Sequence, residues 1–192
     1  MKIHDLLGEG TTKSPNISER TLLAYAERLA LGIRHLKEMK DDKSVSKAEL
    51  AHLRNAVKYD IKWLSLNWPH DASQAALDVC NGKVDLFNLV WQDQPRAEKI
   101  LSQSFTNRTK DGVLMHEHKT PVSDLFEAML KSNGTIEKIL EILMSMQLVW
   151  ILRSEDKKLK RSGRGDAHDQ IYRDAGVIVV RNPKLKKIEA TL

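Results

Sequence analysis

The sequence predicts an α+β fold that is mainly helical, with a helical N-terminal half over residues 1–106 and a small mixed α/β part over 107–192. Two observations carry this. Between residues 18 and 64 apolar side chains recur at three- and four-residue steps, the spacing of a buried helical stripe. After Asn107 short apolar runs rich in β-branched residues alternate with helical patterns, as expected of strands packed among helices. A chain of 192 residues is long enough to bury a core without disulfides or metals, and the two parts fit two units or one compact domain.

Residues 1–17, with Gly8, Gly10 and Pro15, read as irregular. Ser18 is placed to cap a helix whose stripe is Leu22, Tyr25, Leu29, Ile33 and Leu36. The polar stretch from Asp41 to Ser44 reads as a turn. Ser46 and Glu49 have capping-box spacing. Leu50, Leu53, Val57, Ile61 and Leu64 then repeat nearly as a heptad, so the two segments are expected to pair as an antiparallel helical hairpin. Asn67-Trp68-Pro69 stops the second helix, because proline disfavours a helical residue before it. Asp71 and Gln74 are expected to cap a short third helix that Asn81-Gly82 ends. Residues 84–91 are apolar and fit helix or strand. Pro95 has the character of a first helical position, opening a helix to about Ser104. Everything before Asn107 thus reads as helical.

Beyond it, Asp111-Gly112 is a turn signal and Val113-Leu114-Met115 a short strand. Thr120-Pro121 starts a helix carrying Leu125, Phe126, Met129 and Leu130, and Asn133-Gly134 ends it. Thr135 caps the next, with Ile136, Ile139, Leu140 and Leu143. Leu148-Val149-Trp150-Ile151-Leu152 is rich in strand formers. Ser154 can cap a short helix through Lys160, Gly163-Arg164-Gly165 reads as a loop, and a turn of helix from His168 to Asp174 ends at Gly176. Val177-Ile178-Val179-Val180 is the clearest strand, closed by Asn182-Pro183. There is no internal repeat.

Lysine plus arginine number 31 against 26 acidic residues, a net charge of +5, which favours polyanionic partners through phosphate contacts. The excess is uneven. Lys157, Lys158, Lys160, Arg161 and Arg164 form one run, and Arg181, Lys184, Lys186 and Lys187 another. Each reads as a phosphate-facing patch or as a solvated surface. The single cysteine, Cys80, excludes an internal disulfide and a cysteine-based zinc site; in a helical context it reads as a small buried hydrophobe. Met1-Lys2-Ile3-His4-Asp5 lacks the apolar core of a signal peptide, and no apolar run is long enough to span a bilayer. The expected location is cytoplasmic, with no membrane partner.

His116, Glu117 and His118 are the most informative residues, placed just after a predicted strand. Imidazole titrates near neutrality and can take a proton from water. Along an extended chain His116 and His118 share one face and Glu117 the other, so both rings can reach one metal, or one can bind while the other acts as base. The other reading is an exposed polar turn between strand and helix.

Glu117-His118-Lys119-Thr120-Pro121 resembles the first motif of HNH (ββα-metal) nucleases. Leu148 to Leu152 followed by Ser154-Glu155-Asp156-Lys157-Lys158-Leu159 fits the family's order of second strand and helix. The resemblance covers residues 113–160, with a helical stretch where the family has a loop and without the paired cysteines of many members. It implies that His118 is the base activating water. It also implies that Glu117, or else His116, holds a divalent metal, Mg²⁺ or Mn²⁺, together with Asp156. The activity implied is phosphodiester hydrolysis of DNA or RNA.

A second cluster, Gly163-Arg164-Gly165-Asp166-Ala167-His168-Asp169, can bring backbone N–H groups to phosphate, or is a basic loop with a helix cap at Asp166. Tyr172 and Arg173 beside it are placed to stack on bases, although Tyr172 equally suits a core. The predicted nucleic-acid contacts are therefore Lys157, Lys158, Lys160, Arg161, Arg164, Tyr172 and Arg173. Trp150 is expected in the core and Trp68 partly exposed. His35, His52 and His70 have no ligand-like spacing and read as surface or satisfied residues. Beside the nuclease stand two alternatives: a non-enzymatic nucleic-acid-binding or regulatory protein, and a helical interaction module, or homodimer, joined through the heptad-like stripe.

Overall fold

Two serines start the two longest helices. The Ser18 hydroxyl accepts from the Thr21 amide at 3.1 Å and opens α1 (Glu19–Asp41). Ser46 and Glu49 form a reciprocal capping box that opens α2 (Lys47–Ser65). Each cap satisfies amides the helix leaves unpaired, a contribution of about 1 kcal/mol. The computed structural model describes residues 17–68, 70–102, 112–159 and 168–183. The chain continues through β1 (Asp71–Ser73), α3 (Gln74–Cys80), a short 3₁₀ turn (Trp91–Asp93), α4 (Gln94–Ser102) and β2 (Leu114–His118). Then come α5 (Val122–Lys131), α6 (Ile136–Met144), β3 (Leu148–Leu152), α7 (Arg153–Asp156), α8 (His168–Asp174) and β4 (Val179–Val180). The fold is α+β and mainly helical, as the apolar spacing predicts. No helix among the described residues is long and apolar enough to cross a membrane.

Three apolar clusters organise it. The stripes of α1 and α2 meet α5 and α6 in the largest, where Leu29, Ile33, Ile61, Leu64, Phe126, Met129 and Ile139 are almost wholly buried. The lower half of the heptad-like stripe, Val57, Ile61 and Leu64, lies inside this core, and Leu50 and Leu53 pack against it. The stripe proposed to join a partner is therefore satisfied within the chain. Gly134 lets the α5–α6 connection approach α1: its φ is +65°, and an added Cβ would stand 3.2 Å from the Arg34 side chain. Arg34 Nη1 donates to the Gly134 carbonyl at 3.1 Å.

The four strands lie in the order β2-β3-β1-β4. β1 runs parallel to β3, while the β2–β3 and β1–β4 pairs are antiparallel. One sheet face carries Leu114, Ala72 and Trp150 against α3, α4 and the turns after α3. The opposite face carries Val149 and Ile151 against Leu159, Tyr172 and Val177. Trp150 is fully buried, as expected, and its indole N–H reaches the Leu89 carbonyl at 3.1 Å. Trp68 is buried rather than partly exposed, donating to the Met146 carbonyl at 3.1 Å. Cys80 is also buried, and burial lifts its thiol to about 11, so it is an inert hydrophobe.

The sheet corrects the all-helical reading of the first half. β1 is Asp-Ala-Ser and holds no β-branched or aromatic residue, so nothing local marks it as a strand. Its neighbours hold it there: Asp71 pairs with Val149 and Ala72 with both Trp150 and Val180. Ser73, not Asp71, caps α3, its hydroxyl accepting from Ala76 at 3.1 Å. Residues 84–90 form turns and irregular chain, neither α-helix nor strand, up to the 3₁₀ segment that begins at Trp91. The clearest sequence strand shrinks to Val179–Val180, because β4 is an edge strand whose partner has three residues. Since β1 sits between β3 and β4, and the first two clusters join residues from both sides of position 106, the two parts share one sheet and its cores.

Candidate functional site

β2 does not end before the histidines; it runs through them. His116 pairs with Trp150, Glu117 with Val149 and His118 with Leu148. His116 and His118 accordingly share the face turned toward the helical layer, with Glu117 on the other. Neither ring belongs to an exposed turn. His118 Nε2 lies 2.8 Å from Ser65 Oγ at the end of α2. Ser65 donates its only hydroxyl hydrogen to the Lys62 carbonyl at 2.6 Å, so His118 Nε2 carries a proton and donates to Ser65. Ser65 is fully buried, which makes the pair a structural contact and not a nucleophile with its base. Burial, helped by the Lys62 charge, holds His118 down to about 4.

His116 is more confined. Its ring lies 4.6 Å from the Trp150 ring, and the His70 ring stands 5.6 Å from it and 5.7 Å from Trp150. Burial, then the neighbouring His70 and His118, push it to about 3. Its Nε2 is buried with no hydrogen-bond partner among the described residues. His70 is buried, as a residue without ligand-like spacing can be, with Nδ1 3.1 Å from the Trp68 carbonyl and Nε2 2.5 Å from the Leu86 carbonyl; a neutral ring donates to one of these two acceptors at a time. Burial lowers it, while the two carbonyls, Asp71 and Asp85 pull the other way.

An orphaned ring nitrogen costs about 1–3 kcal/mol, and the lost ring contact with Trp150 is worth about 1 kcal/mol. His116→Leu is therefore expected to raise stability by about 1 kcal/mol, a melting rise of about 2–4 °C. Thermal unfolding checks this, and a fall in melting temperature would assign His116 a stabilising contact.

The implied metal set does not assemble. Glu117 is on the opposite face from both histidines. Asp156 follows β3 at the Leu152 end, which pairs with Leu114, whereas His118 is at the other end of the same ladder. Four strand steps of about 3.4 Å separate those ends, roughly 14 Å. Asp156 is itself buried, on α7. Among the described residues no three His, Cys, Asp or Glu side chains converge as ligands for a cation. His116, Glu117, His118 and Asp156 therefore do not fit the metal of the HNH arrangement.

The sheet face opposite the histidines holds an open cleft of about 540 Å³. Lys119, one residue beyond β2, enters it on the side of Glu117, as strand alternation requires. Its side chain is 5% exposed and ion-paired with Asp169 of α8. Arg173, from the same helix, lines the cleft and donates to the neutral Gln170 carbonyl oxygen at 2.9 Å. Arg181, just after β4, lines it from a third segment. The buried Asp71 of β1 holds that segment in place: its Oδ1 accepts from the Asn182 amide at 2.9 Å, and its Oδ2 lies 3.8 Å from Arg181 Nε. Burial raises the Asp71 carboxyl, and the Asn182 amide, Arg181 and Lys119 oppose the rise. Asn182 also donates to the His70 carbonyl at 3.2 Å. Asp169 is held below the usual carboxylate range by its hydrogen bond to Lys119 and by that charge.

Of the predicted nucleic-acid contacts, Arg173 reaches this cleft exposed. Tyr172 lines it as well, but the side chain is 5% exposed and packs with Val149, Ile151 and Val177, so its ring is not offered for stacking. Lys157 and Lys158 are exposed beyond α7 and do not line the cleft. Lys160, Arg161 and Arg164, the glycine-flanked loop, and the run Lys184, Lys186 and Lys187 lie outside the described residues. Lys119 was missed by reading its neighbours as a histidine motif. Its signal is the alternation Glu117, Lys119 on one strand face, opposite in sense to His116, His118. No family model, no curated protein sequence and no solved structure matches the chain.

Proposed function

We propose that the protein binds nucleic acid without cleaving it, using the cleft beside β4 as the phosphate contact. One observation carries this reading. Lys119, Arg173 and Arg181 come from three separate segments and line one cleft, on a chain whose net charge is +5. Guanidinium groups match phosphate oxygens in a planar fork, and a nearly buried ammonium acts on them through a medium less screening than water. The histidine face supports binding over hydrolysis. A general base works best with a pKa near the operating pH, and His118 is held at about 4 with its Nε2 on Ser65.

The test is anisotropy of labelled single-stranded and duplex DNA and RNA across a salt series. Three phosphate contacts give a slope of log affinity against log salt of about −2.7 for duplex DNA, since each contributes about −0.9. Arg173→Gln combined with Arg181→Gln is expected to flatten that slope by about 1.8 and weaken binding at low salt. An unchanged slope would remove the cleft from the interface. A plasmid and structured-RNA digestion with Mg²⁺ or Mn²⁺ runs alongside, with EDTA and His118→Ala controls. Cutting that both controls abolish would return the nuclease reading.

A further inference from the structure

The cleft contains a nearly buried cation whose ion-pair partner among the described residues, Asp169, is easily given up. Lys119 is nearly withdrawn from water, and a buried ammonium without a compensating anion is costly. Its partner is the opposite case: the Asp169 side chain is 64% exposed, so it regains hydration readily when it leaves. An exposed carboxylate contributes little by remaining, whereas Lys119 requires an anion at all times. Arg173 stands beside the pair with its guanidinium on the neutral Gln170, and Arg181 lines the same cleft.

We infer that Asp169 occupies the position of a ligand phosphate on Lys119, and that a phosphate group binds by exchanging places with it. The inference rests on the cleft reading above and narrows it to one group. Among the described residues three cations line the cleft against one lining carboxylate, with the buried Asp71 3.8 Å from Arg181 behind it. With Asp169 swung out, Lys119 supplies a buried point charge, and Arg173 and Arg181 supply planar donors. That set matches a phosphate monoester dianion better than a carboxylate, which has one charge and two oxygens. A terminal phosphate on a nucleic-acid strand, a free nucleotide and inorganic phosphate share this chemistry.

Asp169→Asn removes the competing charge and keeps the side chain's size. Lys119→Met removes the ammonium and leaves an apolar chain of similar length, a change a buried site tolerates. Both variants and wild type would be titrated with a 5′-phosphorylated oligonucleotide, its 5′-hydroxyl counterpart and inorganic phosphate. Circular dichroism checks the fold of each. Asp169→Asn is expected to bind the phosphorylated strand about three- to tenfold more tightly, the value of one charged pair, and Lys119→Met at least about tenfold more weakly. The 5′-hydroxyl strand separates terminal from internal phosphate: a gain seen equally on both strands places an internal phosphate at Lys119. If wild type binds with a salt dependence and Asp169→Asn leaves affinity unchanged or lower, the exchange is overturned while the cleft reading stands. If no nucleic acid binds but Asp169→Asn gains affinity for inorganic phosphate, the nucleic-acid reading falls and the phosphate site stands. Absence of binding to any of the three ligands overturns both.

Discussion

Acidification from about pH 7 to about pH 5 is expected to remove about 4 kcal/mol of folding stability through His116 and His118, measured by denaturant unfolding at each pH. In the unfolded chain His116 and His118 titrate at the ordinary 6.5, and in the fold burial holds them at about 3 and about 4. Above the unfolded value both rings are neutral in either state and contribute no pH dependence. Below it the unfolded chain takes up two protons that the fold does not, so each histidine lowers stability by about 1.4 kcal/mol per pH unit. The loss from His118 ends near its folded value of about 4, and that from His116 near about 3. His70, lowered by burial, works in the same sense and Asp71, raised by burial, in the opposite one, but both are common to wild type and variant. In the double variant His116→Leu, His118→Gln the slope should fall by about 2.7 kcal/mol per pH unit. An unaltered slope would mean that other groups cause the acid sensitivity.

Trp150→Ala should be the most damaging single substitution described, at about 3–5 kcal/mol. Trp150 is at the centre of the sheet, fully buried, with Leu114 and Ala72 beside it in the same cluster. Its removal leaves a cavity under His116 and His70, whose rings lie 4.6 and 5.7 Å away, and orphans the Leu89 carbonyl. The melting temperature should fall by about 6–20 °C for a chain of this size. Trp150→Phe keeps most of the volume and loses only the indole hydrogen bond, about 1–2 kcal/mol. Equal losses in the two variants would show that the hydrogen bond, and not packing, is what Trp150 supplies. The cationic cleft is on the other sheet face, so the phosphate binding proposed for it should be unaffected below the melting range.

The helices were legible because their signals are local. Ser18, Ser46 and Thr135 cap helices where the sequence places them, and Asn81 ends α3 in the left-handed conformation. The apolar stripes of α1, α2, α5 and α6 became the largest core with no residue out of step. The alternation of His116, Glu117 and His118 was also readable, because a strand turns successive side chains to opposite faces. What that alternation meant was not readable. Whether the histidines met solvent or a helical layer depended on Ser65 and Trp150, residues distant in the chain.

The amino-acid sequence by itself determined the helices of the largest core, the caps of α1, α2 and α6, the apolar faces that join them, and the excess of positive charge. These follow from period, capping chemistry and composition, all of which act within a few residues. Only the tertiary structure decided that Asp71-Ala72-Ser73 is a strand, that Asp156 lies at the far end of the ladder from His118, and that Lys119, Arg173 and Arg181 share one cleft. Those outcomes depend on backbone pairing and burial between segments far apart in the chain, where no local preference of a residue can act.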